Sequence, residues 1–364
     1  MLSVSLTSPR VARGAIVLVA VATLLAACGS SSKSSNSGSS SSSSNVSATL
    51  NGSGSTFQQA FNQAAIQAFH DKNSGITINY AGGGSGKGKT DLQTKTVDFA
   101  GTDSTVKSAD LPKYQGGTIL YFPTVAGPIT VSYNVSGVDK LQLSADTIAK
   151  IFQGQIKTWN DPAIAAENPG VNLPNKDITI VHRAEASGTT SNFTKFLNTA
   201  APTTWKLGSS DTVNWPSGSQ SGQGNAGVAT AVKGTDGAVG YVDYSDAVAS
   251  GLKFASIKNK AGNYIAPTLS GATDALAAST IKPDLTYNPI WTSGAQAYPI
   301  TSPTWIILYE KQTDKNKGTA LKDFLTFVLG SDGQALANPA NYAALPSSLQ
   351  QMAQAQLSKI QIPA

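Results

Sequence analysis

Cysteine, histidine and long apolar runs are scarce in this chain, and each scarcity removes a class of protein. The single cysteine, Cys28, excludes an internal disulfide framework. The only histidines are His70 and His182, and no His/Cys cluster has the spacing of a metal site. His70 falls in an amphipathic helical stretch and His182 precedes Arg183 at a strand end, where alternation points the two side chains apart. Candidates for a catalytic base are therefore thin. Charged residues make up only 13% of the chain, and the formal net charge is +5. Lys and Arg are dispersed, so nothing argues for nucleic acid, while a mild cationic bias suits a small anion. The apolar run over residues 15–27 is shorter than the roughly 20 residues a helix needs to cross a bilayer.

That run follows Arg10 and Arg13 and ends in small residues, the layout of a secretory signal peptide. Leu25-Ala26-Ala27-Cys28 resembles the bacterial lipobox. The resemblance implies a lipoprotein signal peptide at 1–27, cleavage before Cys28, and a lipidated cysteine as membrane anchor. A single acyl chain binds membranes only marginally, a demand the multiply acylated lipoprotein cysteine meets. Residues 28–47 are mostly serine, with Asn, Gly and one Lys. Such a tract buries too little apolar surface to offset its ordering entropy, so it is predicted to be a tether. Losing residues 1–27 removes two positive charges and no negative ones, which takes the net charge from +5 to +3.

The rest of the chain has room for two domains. Short β-type runs alternate with helical stretches, which predicts an α/β architecture. Ile76-Thr77-Ile78-Asn79-Tyr80, Ile178-Thr179-Ile180-Val181 and Trp305-Ile306-Ile307-Leu308-Tyr309 read as strands. Phe57, Phe61, Ala64, Ala65, Ala68 and Phe69 fall at helical spacing, as do Phe193, Phe196 and Leu197. Three Gly- and hydroxyl-rich turns lead into helices: Gly52-Ser53-Gly54-Ser55-Thr56, Gly82-Gly83-Gly84-Ser85-Gly86 and Ser187-Gly188-Thr189-Thr190. Taken singly, such turns commonly just cap helices. Together, and with Arg183 beside one of them, they point to an oxyanion site, because helix N-termini offer unpaired N–H groups and partial positive charge.

Residues 83–90 also satisfy the P-loop pattern G-x-x-x-x-G-K-T after a strand. An exported chain works in a nucleotide-poor compartment, glycine flanks the match on both sides, and no apolar strand ending in a magnesium-binding Asp stands out. Nucleotide hydrolysis is rejected on those grounds. Ser187 lacks a G-x-S-x-G elbow, which leaves a secreted phosphatase only a minor alternative.

With these turns in place, the chain resembles the phosphate-binding proteins of the bacterial high-affinity phosphate ABC transporter (the PstS family). The marks, in order, are Gly52-Ser-Gly-Ser-Thr-Phe57, Val97-Asp-Phe-Ala-Gly-Thr-Asp103, Phe122-Pro-Thr124, Ile151-Phe152 through Trp159-Asn160, His182-Arg-Ala-Glu-Ala-Ser-Gly-Thr189, Gly237-Ala-Val-Gly-Tyr241 and Pro299-Ile-Thr-Ser302. The resemblance implies a hinged two-domain periplasmic-binding-protein fold of type II, with the ligand in the interdomain cleft. It puts domain I at 48–125 and 301–364 and domain II at 126–300. It implies inorganic phosphate as ligand, held by Thr56 with the flanking backbone of Ser55 and Phe57, and by Ser85, Asp103, Arg183, Glu185, Ser187, Gly188 and Thr189. It further implies delivery to permease subunits of an ABC importer, a monomer, no cofactor, no metal and no nucleic acid. Glu185 departs from the family's usual Asp, and Gly86 and Ala186 stand where Ser and Gly are frequent. Trp159 and Tyr241 are expected in the core. A different oxyanion such as sulfate or molybdate, and a phosphate sensor without a transporter, are the neighbouring alternatives.

Overall fold

The computed structural model describes residues 46–364. The signal sequence, Cys28 and the tether up to residue 45 lie outside the described residues. From β1 (Ala48–Gly54) the chain runs through α1 (Gln59–Lys72), β2 (Ile76–Gly82), α2 (Ser85–Gln93) and β3 (Phe99–Thr102), with β1 parallel to both β2 and β3. The long strand β4 (Ile119–Asn134) follows, then β5 (Gln142–Leu143), α3 (Ala145–Phe152), α4 (Pro162–Glu167), β6 (Thr179–Arg183) and α5 (Gly188–Ala200). Next come β7 (Gln220–Gly222), α6 (Gly224–Gly234), β8 (Ala238–Asp243), α7 (Tyr244–Ala249), β9 (Lys253–Phe254), β10 (Ser256–Lys258), β11 (Tyr264–Ile265), α8 (Leu269–Ala277) and β12 (Thr301–Tyr309). Helices Lys315–Leu329 (α9), Ser331–Gln334 (α10) and Ser347–Gln356 (α11) complete the chain. Among the described residues no helix is long and apolar enough to cross a membrane.

The main sheet has the order β2-β1-β3-β12-β4-β8-β6-β7, with β9 on β4. Strand β2 shows the alternation read from its sequence, with Ile76 and Ile78 buried and Thr77 and Asn79 exposed. Strand β4 is buried at every position except its ends, and it serves two halves of the sheet. As far as Pro128 it pairs antiparallel with β12, and from Ile129 it pairs antiparallel with β8. Pro303 enters the sheet at a register shift between Pro303 and Trp305, the kind of bulge to which a strand proline is confined.

Each half has an aromatic core. Phe69 of α1 meets Phe324 of α9 edge-on at 5.4 Å, and Phe57 meets Tyr342 at 5.8 Å. In the other half, Phe193 of α5 stacks on Tyr241 of β8 at 4.5 Å and Phe152 packs edge-on against Phe193 at 4.8 Å. Truncating a buried ring of this kind to Ala typically costs about 3–5 kcal/mol. The C-terminal ends of β1, β2 and β3 in one half, and of β6 and β7 in the other, therefore sit on rigid cores. Loops at such strand ends, where a sheet changes topology, are the usual ligand crevice of open α/β folds.

Candidate functional site

The predicted site residues meet at those strand ends. Ser55 and Thr56 follow β1, Ser85 opens α2, Asp103 follows β3, Arg183 ends β6, and Ser187, Gly188 and Thr189 form the cap and first turn of α5. The first turn does not run straight into its helix as the sequence suggested, because Phe57 and Gln58 intervene before α1. Gly54, at φ +131°, lets β1 turn there, and a side chain at Gly54 would strike the Gly101 carbonyl at 2.2 Å.

Most of the lining donates hydrogen bonds. Arg183 is 4% exposed, reaches Thr189 Oγ1 with Nη1 at 3.1 Å and pairs with Glu185 through Nη2. Its Nε has no hydrogen-bond partner among the described residues. A buried guanidinium N–H left unmatched is expensive unless a ligand accepts from it. Asn225 of α6, which the sequence reading missed, joins the two halves. Its Nδ2 lies 3.2 Å from both Thr56 Oγ1 and Thr189 Oγ1. Its Oδ1 accepts from the backbone N–H of Asp243 at 3.2 Å, which fixes which end of the amide faces the threonines. Each threonine oxygen accepts two hydrogen bonds, Thr56 from Asn225 N and Nδ2, Thr189 from Asn225 and Arg183. Both hydroxyl protons are thereby left to donate to a ligand. The first-turn amides of α5 add donors that no helix satisfies internally.

Asp103 is the exception. Burial raises its carboxyl to about 6, even with the hydroxyls of Ser55 and Thr304, the Arg183 charge and the Ser85 hydroxyl pulling the other way. The hydroxyls of Ser55 and Ser85 therefore face Asp103. Ser85 has its backbone N–H left for a ligand, whereas the N–H groups of Ser55 and Phe57 are already donated, to the Gly101 carbonyl at 2.9 Å and to Ser55 Oγ at 3.0 Å. Ser187 is the reverse case: its N–H donates to the Asp211 carbonyl at 2.9 Å and its Oγ accepts from Thr190 N–H as the cap of α5, which leaves its hydroxyl proton to donate.

The departures from the family pattern have geometric reasons. Glu185 pairs with Arg183 and accepts from Gly224 N–H at 3.2 Å, so its carboxylate is already committed. Gly86 and Ala186 face each other between the two halves, and a Cβ on Gly86 would lie 2.4 Å from the Ala186 methyl. Moving the side chain from one partner to the other keeps the contact filled once. Gly86 N–H also donates to the Ala186 carbonyl at 3.0 Å. Nearby, Lys89 Nζ donates to Asp211 Oδ2 at 2.6 Å and to Ser104 Oγ at 2.8 Å, an ion pair between α2 and the loop after α5. At the mouth of the site a cavity of about 320 Å³ is lined by Thr56, Gly82, Gly83, Gly224, Asp246 and Tyr342.

The P-loop match does not form a phosphate cradle. Helix α2 begins at Ser85, inside the pattern, and Lys87 and Lys89 pair with Asp91 and Asp211. One ground for rejecting the motif needs correction, because an apolar strand does end in Asp: β8 closes on Asp243, which is fully buried. Its carboxylate caps α7 by accepting from Asp246 N–H at 3.1 Å, and burial raises it well above the ordinary range. Trp159 is fully buried and donates to the Gly237 carbonyl. Tyr241 is equally buried, yet its hydroxyl accepts from Arg183 N–H at 3.1 Å and contacts Thr190 Oγ1 at 2.6 Å. It is a core residue that also orients the site. His182 turns outward and stacks on Trp215.

A family model described as a PBP superfamily domain matches residues 39–332. Phosphate-binding protein PstS of Pasteurella multocida is 34% identical over 314 residues, which is 85% of this chain and 89% of that protein. The protein of the same name from Methanocaldococcus jannaschii is 35% identical over 322 residues, 82% of each chain. Among solved structures, a high affinity periplasmic phosphate-binding protein bound with phosphate superposes with a TM-score of 0.71 at 25% identity, covering 85% of this chain and 94% of that one. A phosphate binding protein from Stenotrophomonas maltophilia shares the fold with a TM-score of 0.68 at 23% identity, over 85% and 94% of the two chains. By sequence and by its two-domain α/β fold of the type II periplasmic-binding class, this chain belongs to the PstS family of phosphate-binding proteins within the PBP superfamily.

Proposed function

We propose that this protein captures inorganic phosphate outside the cytoplasm, in the cleft between β1–β3 and β6–β7, and passes it to the permease subunits of an ABC importer. The observation that carries the reading is the lining itself: a buried Arg183 with an unmatched Nε, two threonine hydroxyls turned into donors by Asn225, and one carboxylate, Asp103. An all-donor pocket would take any oxyanion. The carboxylate asks for a ligand that brings its own proton, and phosphate at neutral pH carries at least one, whereas sulfate carries none. Sulfate would set oxygen lone pairs against oxygen lone pairs in a desolvated cleft.

Phosphate is engaged by Thr56, by the backbone N–H of Ser85, and by Asp103, Arg183, Ser187, Gly188 and Thr189, with Asn225 orienting the two threonine hydroxyls, while the N–H groups of Ser55 and Phe57 are spent inside the protein. Glu185 steers Arg183 without needing to touch the ligand. Two lobes, 48–125 with 301–364 and 126–300, close over it by bending where the chain passes between them. The partner change in β4 at Pro128 and Ile129 supports a bend close to the first of these passages. The protein works as a monomeric binding protein rather than an enzyme, held at the outer face of the membrane through a lipidated Cys28.

Calorimetric titration of the purified protein with phosphate and with sulfate tests the reading. Tight phosphate binding with sulfate at least a hundredfold weaker is expected, and equal affinities would refute it.

A further inference from the structure

Three hydroxyl groups converge on the carboxylate of Asp103, and an N–H behind each one dictates which way its proton points. Ser55 Oγ lies 2.6 Å from both carboxylate oxygens and accepts from Phe57 N–H at 3.0 Å. Ser85 Oγ lies 3.2 Å from Oδ2 and accepts from the N–H of Asp103 itself at 3.1 Å. Thr304 Oγ1, on β12, lies 2.6 Å from Oδ1 and accepts from Gln58 Nε2 at 2.7 Å. A hydroxyl has one proton to give. With an N–H already aimed at its oxygen, each of these protons goes to the carboxylate.

The third arm is unusual because neither of its residues belongs to a binding turn. Thr304 and Gln58 are both fully buried. The direction of the Gln58 amide is settled by its surroundings: the same Nε2 donates at 3.0 Å to the Trp305 carbonyl, which can only accept, and Oε1 accepts from Asn62 Nδ2 at 3.1 Å. Asn62, Gln58, Thr304 and Asp103 thus form a chain of donors with a single polarity.

We propose that Thr304 and Gln58 are positioning residues that hold Asp103 as a hydrogen-bond acceptor and so set the preference of the site for an oxyanion carrying a proton over one carrying none. The proposal rests on the phosphate reading of the cleft. The groups facing Asp103 are few: the Arg183 guanidinium from β6, the Tyr80 hydroxyl from β2, which donates to the Ser55 carbonyl at 2.8 Å, and the three hydroxyls. Of these, Arg183 and the three hydroxyls favour the ionised carboxylate against its burial. Withdrawing the Thr304 proton removes part of that support, so Asp103 takes up a proton at higher pH. A protonated Asp103 donates instead of accepting, and an unprotonated oxyanion is then no longer repelled.

The test compares Thr304→Val, Thr304→Ser and Gln58→Leu in the full-length folded domain, with phosphate and sulfate dissociation constants measured by calorimetry from pH 5 to pH 8. The parent loses its preference for phosphate over sulfate as the pH falls through about 6, where Asp103 titrates. Thr304→Val should lose it about one pH unit higher and narrow the preference at neutral pH about tenfold. Thr304→Ser, which keeps the hydroxyl, should follow the parent. Gln58→Leu, which frees the Thr304 hydroxyl to turn, should move the profile in the same direction by less. A folded Thr304→Val with the parent's profile overturns the proposal, and so does a Thr304→Ser that shifts as far as the valine variant, since lost packing would then be the cause. Should Thr304→Val fail to fold, Gln58→Leu decides by the same readout. A parent that binds no phosphate sinks the functional reading itself, which separates the two failures.

Discussion

Gly188 is where the two halves of the molecule touch beside the proposed phosphate site, and one added methyl group there tests whether they must close for binding. A Cβ on Gly188 would lie 2.4 Å from Ser85 Oγ and 2.7 Å from Asp103 Oδ2, against an ordinary contact of 3.4–4 Å. Gly188→Ala therefore pushes α5 and the Ser85–Asp103 side apart by about 1 Å. Inserting a methyl into a packed contact typically costs about 1–3 kcal/mol, which at 1.4 kcal/mol per factor of ten is a loss of roughly 5- to 150-fold in phosphate affinity. The fold itself should not suffer. Gly188 stands in the first turn of α5 without a positive φ, and Ala in a helix is favoured over Gly by about 0.5–1 kcal/mol. Calorimetry should thus show weakened phosphate binding, while the ligand-free melting temperature stays within about 2 °C of the parent or rises. Affinity within threefold of the parent would show that the lobes do not meet at Gly188 in the bound state.

Arg183→Ala should weaken phosphate binding at least a hundredfold in the same titration, since a hydrogen bond to a charged group contributes about 1.5–3 kcal/mol and a bidentate guanidinium supplies more than one. Asp211→Asn should weaken phosphate binding about threefold by loosening Lys89 between the halves. Removing a negative charge would by itself favour an anion, so tighter binding would refute a clamping role for that pair. The preference for phosphate over sulfate should hold at pH 7.5, where Asp103 is ionised, and fall away below about pH 6 as its raised carboxyl takes up a proton. A selectivity that is flat from pH 5 to pH 8 would remove Asp103 as the discriminator. Cys28→Ala should move the protein from the membrane pellet to the soluble fraction, and unchanged retention of a processed Cys28→Ala protein would refute the anchor.

The parts of the site that could be read from sequence are those with a local signature. Glycine and hydroxyl residues at a strand-to-helix turn mark Thr56, Ser85 and Ser187–Thr189 because the same few residues form both the turn and its N–H groups. Asn225 sits after a comparable turn, Gly222-Gln223-Gly224, but its group is an amide and not a hydroxyl, so that pattern passed it by. Thr304 and Gln58 act through partners distant in sequence and carry no local mark. The strands were legible where alternation or a run of branched residues was uninterrupted, as at Ile76–Gly82. They were hidden by proline: Pro123 and Pro128 break up the reading of β4, and Pro303 makes β12 look as if it starts at Trp305 when pairing begins at Thr301. Only the neighbouring strands, brought in from far along the chain, make those prolines acceptable.

The position of β12 between β3 and β4 also constrains the order in which the chain can fold. The residues that part those two strands, Thr301–Tyr309, are made about 200 residues after β3 (Phe99–Thr102). A growing chain can assemble β1, α1, β2, α2 and β3, but the edge of β3 that β12 will cover stays open until nearly all of the protein exists. Closing so long a loop carries an entropy cost that must be met before its contacts form, and topologies built on distant pairings fold slowly. The first half of the molecule is therefore a late product of its own second half. Truncations that stop before residue 301 should leave an unpaired, aggregation-prone strand edge rather than a smaller folded domain.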